Sequence, residues 1–146
     1  MHRMTYETQD ISISKMDFEL IFAFAENFLG IASENIHISF IFEKMKNKVC
    51  GHMHQLDVEE YEIYLNEGLS LSDMMRTIFH EMVHVKQYHS GKYIEGRHAS
   101  FWKGKRCDTF GDEYFNLPWE VEAFAMETEM VIKFMDVLKA ELEHVL

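Results

Sequence analysis

The alternation of hydrophobic and polar residues predicts a small sheet in the first half of the chain. Residues 35–42 and 60–66 carry apolar or aromatic side chains at every second position, which is the period of a strand with one covered face. Residues 48–55 form a weaker strand between them, and a short strand is expected within residues 4–13. Because the connections are short, we expect the three consecutive strands to form an antiparallel meander.

Apolar residues at helical spacing predict three helices. The first begins after Ser14 and ends at Gly30, and the second begins after Ser70 and ends at Gly91. Each of these serines precedes an aspartate by three positions, as in a helix cap with an acid in the first turn. The predicted fold class is therefore α+β.

The third helix is expected to run from Trp119 to about Val145, because this stretch follows Pro118 and contains no glycine or proline. The long connection before it, residues 92–117, is expected to be irregular apart from a hairpin that turns at residues 103–104. The predicted apolar stripe of this helix consists of Val121, Phe124, Val131, Ile132, Met135, Leu138 and Leu142.

Composition and charge fit one domain spanning residues 1–146. The net charge of −11, without a basic stripe, argues against a nucleic-acid partner. Cys50 and Cys107 do not form a C-x-x-C pair and are expected to be free thiols. With no signal-like segment and no apolar run long enough for a bilayer, we expect a cytoplasmic protein that has no membrane partner.

The second predicted helix contains the sequence HEMVH at residues 80–84. Residues four apart lie one above the other on a helix, so His80 and His84 present two imidazoles on one face. This is the spacing that two ligands need to bind one tetrahedral zinc ion. Glu81 lies about 100° further round the helix, where its carboxylate can take a proton from a water on that ion.

The rest of this helix indicates that the two histidines are buried. A helix that is apolar nearly all round is a core helix, and polar groups in its remaining gap need partners. His80 and His84 lie in that gap, and a zinc site is the interpretation we favour over a structural pair. The surrounding apolar residues are Met74, Met75, Ile78, Phe79, Met82, Val83 and Val85.

Three residues are candidates for the third protein ligand. Projected at about 100° per residue, Glu120 lies on the shoulder of the predicted apolar stripe, whereas Glu122 lies on the solvated side. His98 lies in the long connection, where a loop can place it almost anywhere. We favour Glu120, because a carboxylate turned toward the core needs a cation; Glu122 is expected to be ordinary helix surface.

His52 and His54 form an H-x-H pair on one face of the second predicted strand. Such a pair can bind metal, but no third ligand is apparent nearby. We interpret it as an exposed strand face.

Together these motifs resemble the gluzincin clan of zinc metallopeptidases. The resemblance is closer to minimal single-domain members, including small phage-encoded ones, which share an HExxHvxQ helix, a WKGK-like loop and a PWExEA helix start. In this chain these are residues 80–87, 102–105 and 118–123. The segment EGRHASFW around His98 is also similar to the third-ligand segment of the SprT/Spartan-like zincins.

The resemblance implies a zincin-like fold, with Zn²⁺ held by His80, His84 and Glu120 and with Glu81 as general base. One position departs from the pattern. Thermolysin-like enzymes carry an aspartate four residues after the ligand glutamate to brace a zinc-bound histidine, whereas this chain has Phe124 there. Any brace must come from elsewhere.

The expected activity is zinc-dependent hydrolysis of a peptide or protein substrate. Candidates for the oxyanion stabiliser are Tyr114, Tyr93, Arg97 and His98, and the strand at residues 60–66 is expected to pair with the substrate. Two alternatives keep the same residues. One is a catalytically silent domain that binds a protein partner and uses zinc as a structural clip, and the other is a hydrolase of non-peptide amides.

Overall fold

The computed structural model describes residues 4–6, 13–107 and 114–145, and these residues form an α+β protein. The helices are α1 (Lys15–Phe28), α2 (Leu71–His89) and α3 (Pro118–Val145), with a 3-10 turn at Tyr114–Asn116 just before α3. The strands are β1 (Met4–Tyr6), β2 (His37–Glu43), β3 (Gly51–Asp57), β4 (Glu60–Asn66), β5 (Tyr93–Glu95), β6 (Ser100–Trp102) and β7 (Lys105–Cys107).

The helix starts follow the predicted capping signals. The Ser14 hydroxyl accepts a hydrogen bond from the Asp17 amide at 3.1 Å, and the Ser70 hydroxyl accepts one from the Asp73 amide at 3.2 Å. Each cap satisfies an amide that would otherwise lack a partner in the first turn. The predicted extent of the third helix is also confirmed.

The larger sheet is mixed, and the predicted meander is wrong. Its strand order is β1-β2-β4-β3, with β2 parallel to both β1 and β4, and β3 antiparallel to β4. The covered side chains of β4, Tyr61, Ile63 and Leu65, are at most 1% exposed. A central position in the sheet buries this apolar surface and so stabilises the fold. The more polar β3 forms the edge. The connection that reaches it is held by Asn66, whose side-chain amide donates to the carbonyls of Met45 and Val49.

Helix α2 is buried between the sheet and the other two helices, as its sequence predicts. Its residues Ile78, Phe79 and Met82 have no exposed surface. On the sheet side of α1, the rings of Phe18 and Phe40 meet edge to face at 4.8 Å. The polar stripe of α2 faces α3, which supplies Glu120 and Glu127 as partners for its histidines.

The predicted apolar stripe of α3 is not the face that meets α2. Its members are exposed or half-buried, with Ile132 at 56% and Leu142 at 65% exposure. The prediction failed because the buried face of α3 carries two carboxylates. Hydropathy alone does not identify a buried face that contains charged side chains. The buried residues of α3 are Trp119, Glu120, Ala123, Glu127, Met130 and Phe134.

The connection between α2 and α3 is more ordered than expected. Strands β5, β6 and β7 form a small antiparallel sheet, and the predicted hairpin is confirmed between β6 and β7. Its turn uses left-handed backbone at Lys103 (φ 52°) and Gly104 (φ 80°). Residues 108–113 of this connection lie outside the described residues. None of the described helices combines the length and apolarity that a membrane span requires.

Candidate metal centre

Two helices bring together three side chains that could hold a metal ion. His80 and His84 lie one turn apart on α2, and Glu120 lies in the first turn of α3. The Glu120 carboxylate is 2.9 Å from Nε2 of His80 and 3.1 Å from Nε2 of His84. One ligand atom from each residue lies within 4.8 Å of the others, and this group is the one candidate metal cluster among the described residues.

The three ligand side chains are shielded from solvent. His80 is 6% exposed, His84 is 7% and Glu120 is 5%. Buried polar groups at such positions need partners of opposite character, and here the imidazoles and the carboxylate supply them to one another. The prediction that Glu120 turns toward the core is therefore confirmed, although its neighbours on the buried face differ from those expected.

The outer nitrogen of each imidazole also has a partner. Nδ1 of His80 is 2.9 Å from a carboxylate oxygen of Glu127, and Nδ1 of His84 is 2.7 Å from Oε1 of Gln87. An acceptor at Nδ1 holds the proton there and leaves the lone pair of Nε2 free to face a metal, which is how metal-binding histidines are oriented in proteins. Both rings are therefore set for coordination through Nε2.

Glu127 is the brace that the sequence analysis did not find. It follows Glu120 by seven residues, which is two turns, so both carboxylates lie on the same face of α3. Phe124 occupies the position at which thermolysin-like enzymes carry the bracing aspartate. Its ring packs on that of His80, with 4.5 Å between ring centroids. The sequence did contain a signal for Glu127. Glu127 lies seven residues after Glu120, on the same helix face, and a buried histidine needs a hydrogen-bond acceptor.

Burial and hydrogen bonding shift the pKa values of this cluster in opposite directions. Burial lowers the pKa of His80, but its hydrogen bonds with Glu120 and Glu127 outweigh this and raise it to about 9. Burial raises the pKa of Glu120, but the hydrogen bonds from His80 and His84 lower it to about 2. Without a metal, His80 is therefore protonated and Glu120 is ionised near neutral pH.

The donor set fits a divalent metal ion. Two buried imidazoles face the buried carboxylate of Glu120, and the buried carboxyl groups of Glu81 and Glu127 lie beside them. Tetrahedral bonds of ~2.0–2.1 Å place ligand atoms roughly 3.3 Å apart. Oε1 of Glu120 lies 2.9 Å from Nε2 of His80 and 3.2 Å from Nε2 of His84, and these distances need to open by only a few tenths of an ångström.

Glu81 lies beside the ligands, at the floor of a cleft of about 210 Å³. It is 5% exposed, and burial raises the pKa of its carboxyl group, although the neighbouring His84 and His80 partly offset this rise. A carboxyl group with a raised pKa is better matched to proton transfer near neutral pH than an exposed one. The cleft is lined by Gly51, His52, Met53, Glu81, His84, Tyr88, Tyr114, Trp119 and Glu120.

Tyr114 is the oxyanion candidate that the structure brings to the cleft. Its hydroxyl donates to Glu120 at 2.8 Å, and burial together with this hydrogen bond raises the pKa of the phenol. Tyr93 is buried in the small sheet with its hydroxyl 3.1 Å from that of Ser100, and Arg97 is exposed in the turn that follows. Tyr114 keeps its proton and half of its surface exposed, so it can act as a donor at the rim.

His98 is exposed in the turn between β5 and β6 and is not one of the converging ligands. His52 and His54 face each other at 4.9 Å between ring centroids, and His52 stacks on Tyr64 at 4.7 Å. His54 is exposed, and neither histidine belongs to a candidate metal cluster among the described residues.

The prediction that Glu122 is ordinary helix surface is wrong. Glu122 is half-buried, accepts a hydrogen bond from Gln87 at 3.1 Å and forms an ion pair with Lys92. Burial raises the pKa of its carboxyl group, but the hydrogen bonds with Lys92 and Gln87 lower it overall. The projection placed Glu122 away from the core, but it could not show that the small sheet covers that side.

The edge strand at the cleft also differs from the expectation. Residues 60–66, expected to pair with a substrate, form β4, which is paired on both sides. Its backbone therefore has no open edge for a peptide. Strand β3 is paired on one side by β4, and its first residues, Gly51 to Met53, line the cleft.

Comparisons with known proteins identify no relative. No family model, no curated protein and no solved structure matches this chain.

Proposed function

We propose that this protein is a zinc metallopeptidase with a zincin-like fold of the gluzincin type. The observation that carries the proposal is the position of the Glu120 carboxylate, which contacts Nε2 of both His80 and His84 next to the buried Glu81. Two imidazoles, one carboxylate and a neighbouring general base form the donor set of a catalytic zinc site with an open fourth position.

When bound, zinc would polarise a scissile carbonyl and lower the pKa of an attacking water. Glu81 is the residue we assign to accept the proton that the water loses and to deliver it to the leaving nitrogen. Burial raises the pKa of its carboxyl group above the ordinary value, which favours both uptake of the proton and its return to the leaving nitrogen.

Tyr114 is the residue we assign to the developing oxyanion. Its hydroxyl already points at Glu120 and needs only to turn to donate to a substrate oxygen in the cleft. A donor placed in this way stabilises charge that exists only in the transition state.

The open edge of β3 is the surface we assign to the substrate backbone. An extended peptide can add to such an edge by main-chain hydrogen bonds, which favours a peptide over a small amide. Because this mode of binding reads the backbone, the side chains that line the cleft, such as Met53 and Trp119, would select among peptides.

Zinc analysis and peptide cleavage of two variants test the proposal. We expect Glu81→Gln to keep about one zinc per chain and to lose cleavage of casein or a peptide library. Glu129→Gln, which changes an exposed carboxylate on α3, is the matched control and should retain both. Cleavage by Glu81→Gln at the wild-type rate, or absence of zinc from the wild-type protein, would refute the assignment.

A catalytically silent zinc domain is the second candidate, and the outward face of α3 is the observation that favours it. Ile132 and Met135 are 56% and 51% exposed on this face, which suits partner binding. Bound zinc without chelator-sensitive cleavage of any library peptide would favour this alternative.

A further inference from the structure

A chain of polar contacts leads from His84 to the small sheet. Nδ1 of His84 contacts Oε1 of Gln87 at 2.7 Å, and Nε2 of Gln87 contacts Glu122 at 3.1 Å. Glu122 in turn forms an ion pair with Lys92, the residue just before β5. Gln87 is 1% exposed, so its amide depends on these protein partners.

The partners of Gln87 fix the orientation of its amide. Its nitrogen lies 3.0 Å from the carbonyl oxygen of Trp119 and 3.1 Å from the Glu122 carboxylate. The backbone carbonyl of Trp119 can only accept a hydrogen bond, and the Glu122 carboxylate is paired with the Lys92 ammonium on its other side. The NH₂ group must therefore face them, and the amide oxygen must face His84.

The amide orientation in turn fixes the tautomer of His84. An amide oxygen at 2.7 Å requires the proton on Nδ1, so the lone pair of Nε2 points toward Glu120. His80 needs no outer partners to fix its tautomer, because either oxygen of the Glu127 carboxylate can accept the Nδ1 proton. A glutamine can present either end to a histidine, and only its outer partners decide which.

We propose that Gln87, Glu122 and Lys92 form a positioning chain that holds His84 in its metal-binding tautomer and so couples the docking of the β5–β7 sheet to the affinity for metal. This inference rests on the proposed function only in that His84 is a metal ligand. The sheet end of the chain is fixed by packing: the Lys92 ammonium lies 5.1 Å from the ring centroid of Trp102, which lies 6.4 Å from that of Trp119. Gln87, Glu122 and Lys92 are positioning residues, since they act through His84.

Zinc dissociation constants, measured by competition with a chromophoric chelator, test the chain. Gln87→Met removes both ends of the amide with little change in shape, and we expect roughly 10–100-fold weaker zinc binding. Glu122→Gln and Lys92→Met should each weaken binding by a smaller factor. The matched controls are Glu129→Gln and Lys133→Met, exposed residues of the same helix as Glu122, and these should bind zinc as the wild type does.

A double-mutant cycle separates a chain from independent structural effects. In the Gln87→Met background, Glu122→Gln should have no further effect on zinc affinity, because the link it acts through is already lost. The exchange Gln87→Glu with Glu122→Gln restores a donor opposite an acceptor, and it should bind zinc more tightly than Gln87→Glu alone. The absorption spectrum of the Co²⁺-loaded protein should shift in Gln87→Met and not in the controls.

Three results would overturn the inference. These are wild-type zinc affinity in a folded Gln87→Met variant, fully additive effects in the cycle, and weaker binding by the exchange variant than by Gln87→Glu alone. Denaturant unfolding of each metal-free variant identifies any variant that loses affinity by unfolding. If Gln87→Met unfolds, the Lys92→Met and exchange variants decide, since Lys92 is partly exposed. A wild-type protein that binds no zinc would instead reject the proposed function itself.

Discussion

The carboxylate of Glu127 contacts Nδ1 of His80 at 2.9 Å, opposite the contact of the same ring with Glu120 at Nε2. One imidazole therefore bridges two glutamates that lie two turns apart on α3. This contact orients the ring and joins α2 to α3, because His80 belongs to α2 and both glutamates belong to α3. The brace and the third ligand come from one helix, so the docking of α3 assembles the whole centre.

Removal of the brace should weaken metal binding without changing its stoichiometry. We expect Glu127→Ala to raise the zinc dissociation constant by roughly 10–100-fold, since the His80 ring loses the acceptor that fixes its tautomer. Chelator competition measures the change, and Glu129→Ala is the matched control on the exposed side of α3. An unchanged dissociation constant in Glu127→Ala would show that packing against Phe124 alone orients His80.

The metal-free protein should be most stable in weakly acidic solution. The folded-state pKa of His80 is raised from 6.5 to about 9, so its stabilisation is complete below pH 6.5 and is lost as pH rises toward 9. The pKa of Glu120 is lowered from 4.5 to about 2, so its stabilisation is complete above pH 4.5 and is lost as pH falls toward 2. Together these shifts predict greatest stability between pH 4.5 and 6.5.

Calorimetry of the metal-free protein checks this dependence. The Tm should fall by on the order of 5–10 °C between pH 6.5 and pH 9, and saturating zinc should reduce the fall because the ion replaces the imidazole protons. In the His80→Gln variant the pH dependence over this range should be smaller. A metal-free Tm that stays constant from pH 6.5 to 9 would contradict the charge arrangement.

Tyr114→Phe should slow the chemical step. Loss of one oxyanion donor typically costs about 10²–10³-fold in kcat, and KM and zinc content should change little. Tyr93→Phe is the control, because that hydroxyl contacts Ser100 in the small sheet and not the ligands. If steady-state kinetics show an equal loss of kcat in both variants, the loss reflects reduced stability and not the removal of an oxyanion donor.

Gly51 should be intolerant of a side chain for steric reasons. A Cβ atom there would lie 2.5 Å from the carbonyl oxygen of Tyr64 and 2.8 Å from Cγ2 of Thr77, distances at which the strand or the helix must move. We expect Gly51→Ala to lower the free energy of unfolding by about 1–3 kcal/mol. Gly68→Ala, where the nearest atom is 3.7 Å away, should be close to neutral in the same denaturant titration. Equal stability of the two variants would indicate that β3 is not held against α2.

Local signals made the helices predictable from the sequence. The serine caps, the spacing of the apolar residues and the absence of glycine or proline from residues 119–145 each act within a few residues. The position of His80, Glu81 and His84 on one buried helix followed from the same periodicity. Glu120 was found because a carboxylate near the core needs a cation, which is an argument about charge and not about contacts.

Features set by distant contacts could not be predicted in the same way. The central place of β4 depends on which strand buries most surface, and the half-burial of Glu122 depends on a sheet formed by residues 93–107, well before it in the chain. The stripe on α3 was wrong because its exposed side is more apolar than the side that carries Glu120 and Glu127. Polar groups that satisfy one another in a protein interior are not visible to hydropathy.

Metal content per chain, measured by mass spectrometry on the wild type and on Glu120→Ala and His98→Ala purified side by side, tests the central claim most directly. We predict about one zinc per chain in the wild type and in His98→Ala, and a nearly empty site in Glu120→Ala. Full zinc occupancy in Glu120→Ala, or loss of zinc from His98→Ala instead, would contradict a metal held between His80, His84 and Glu120.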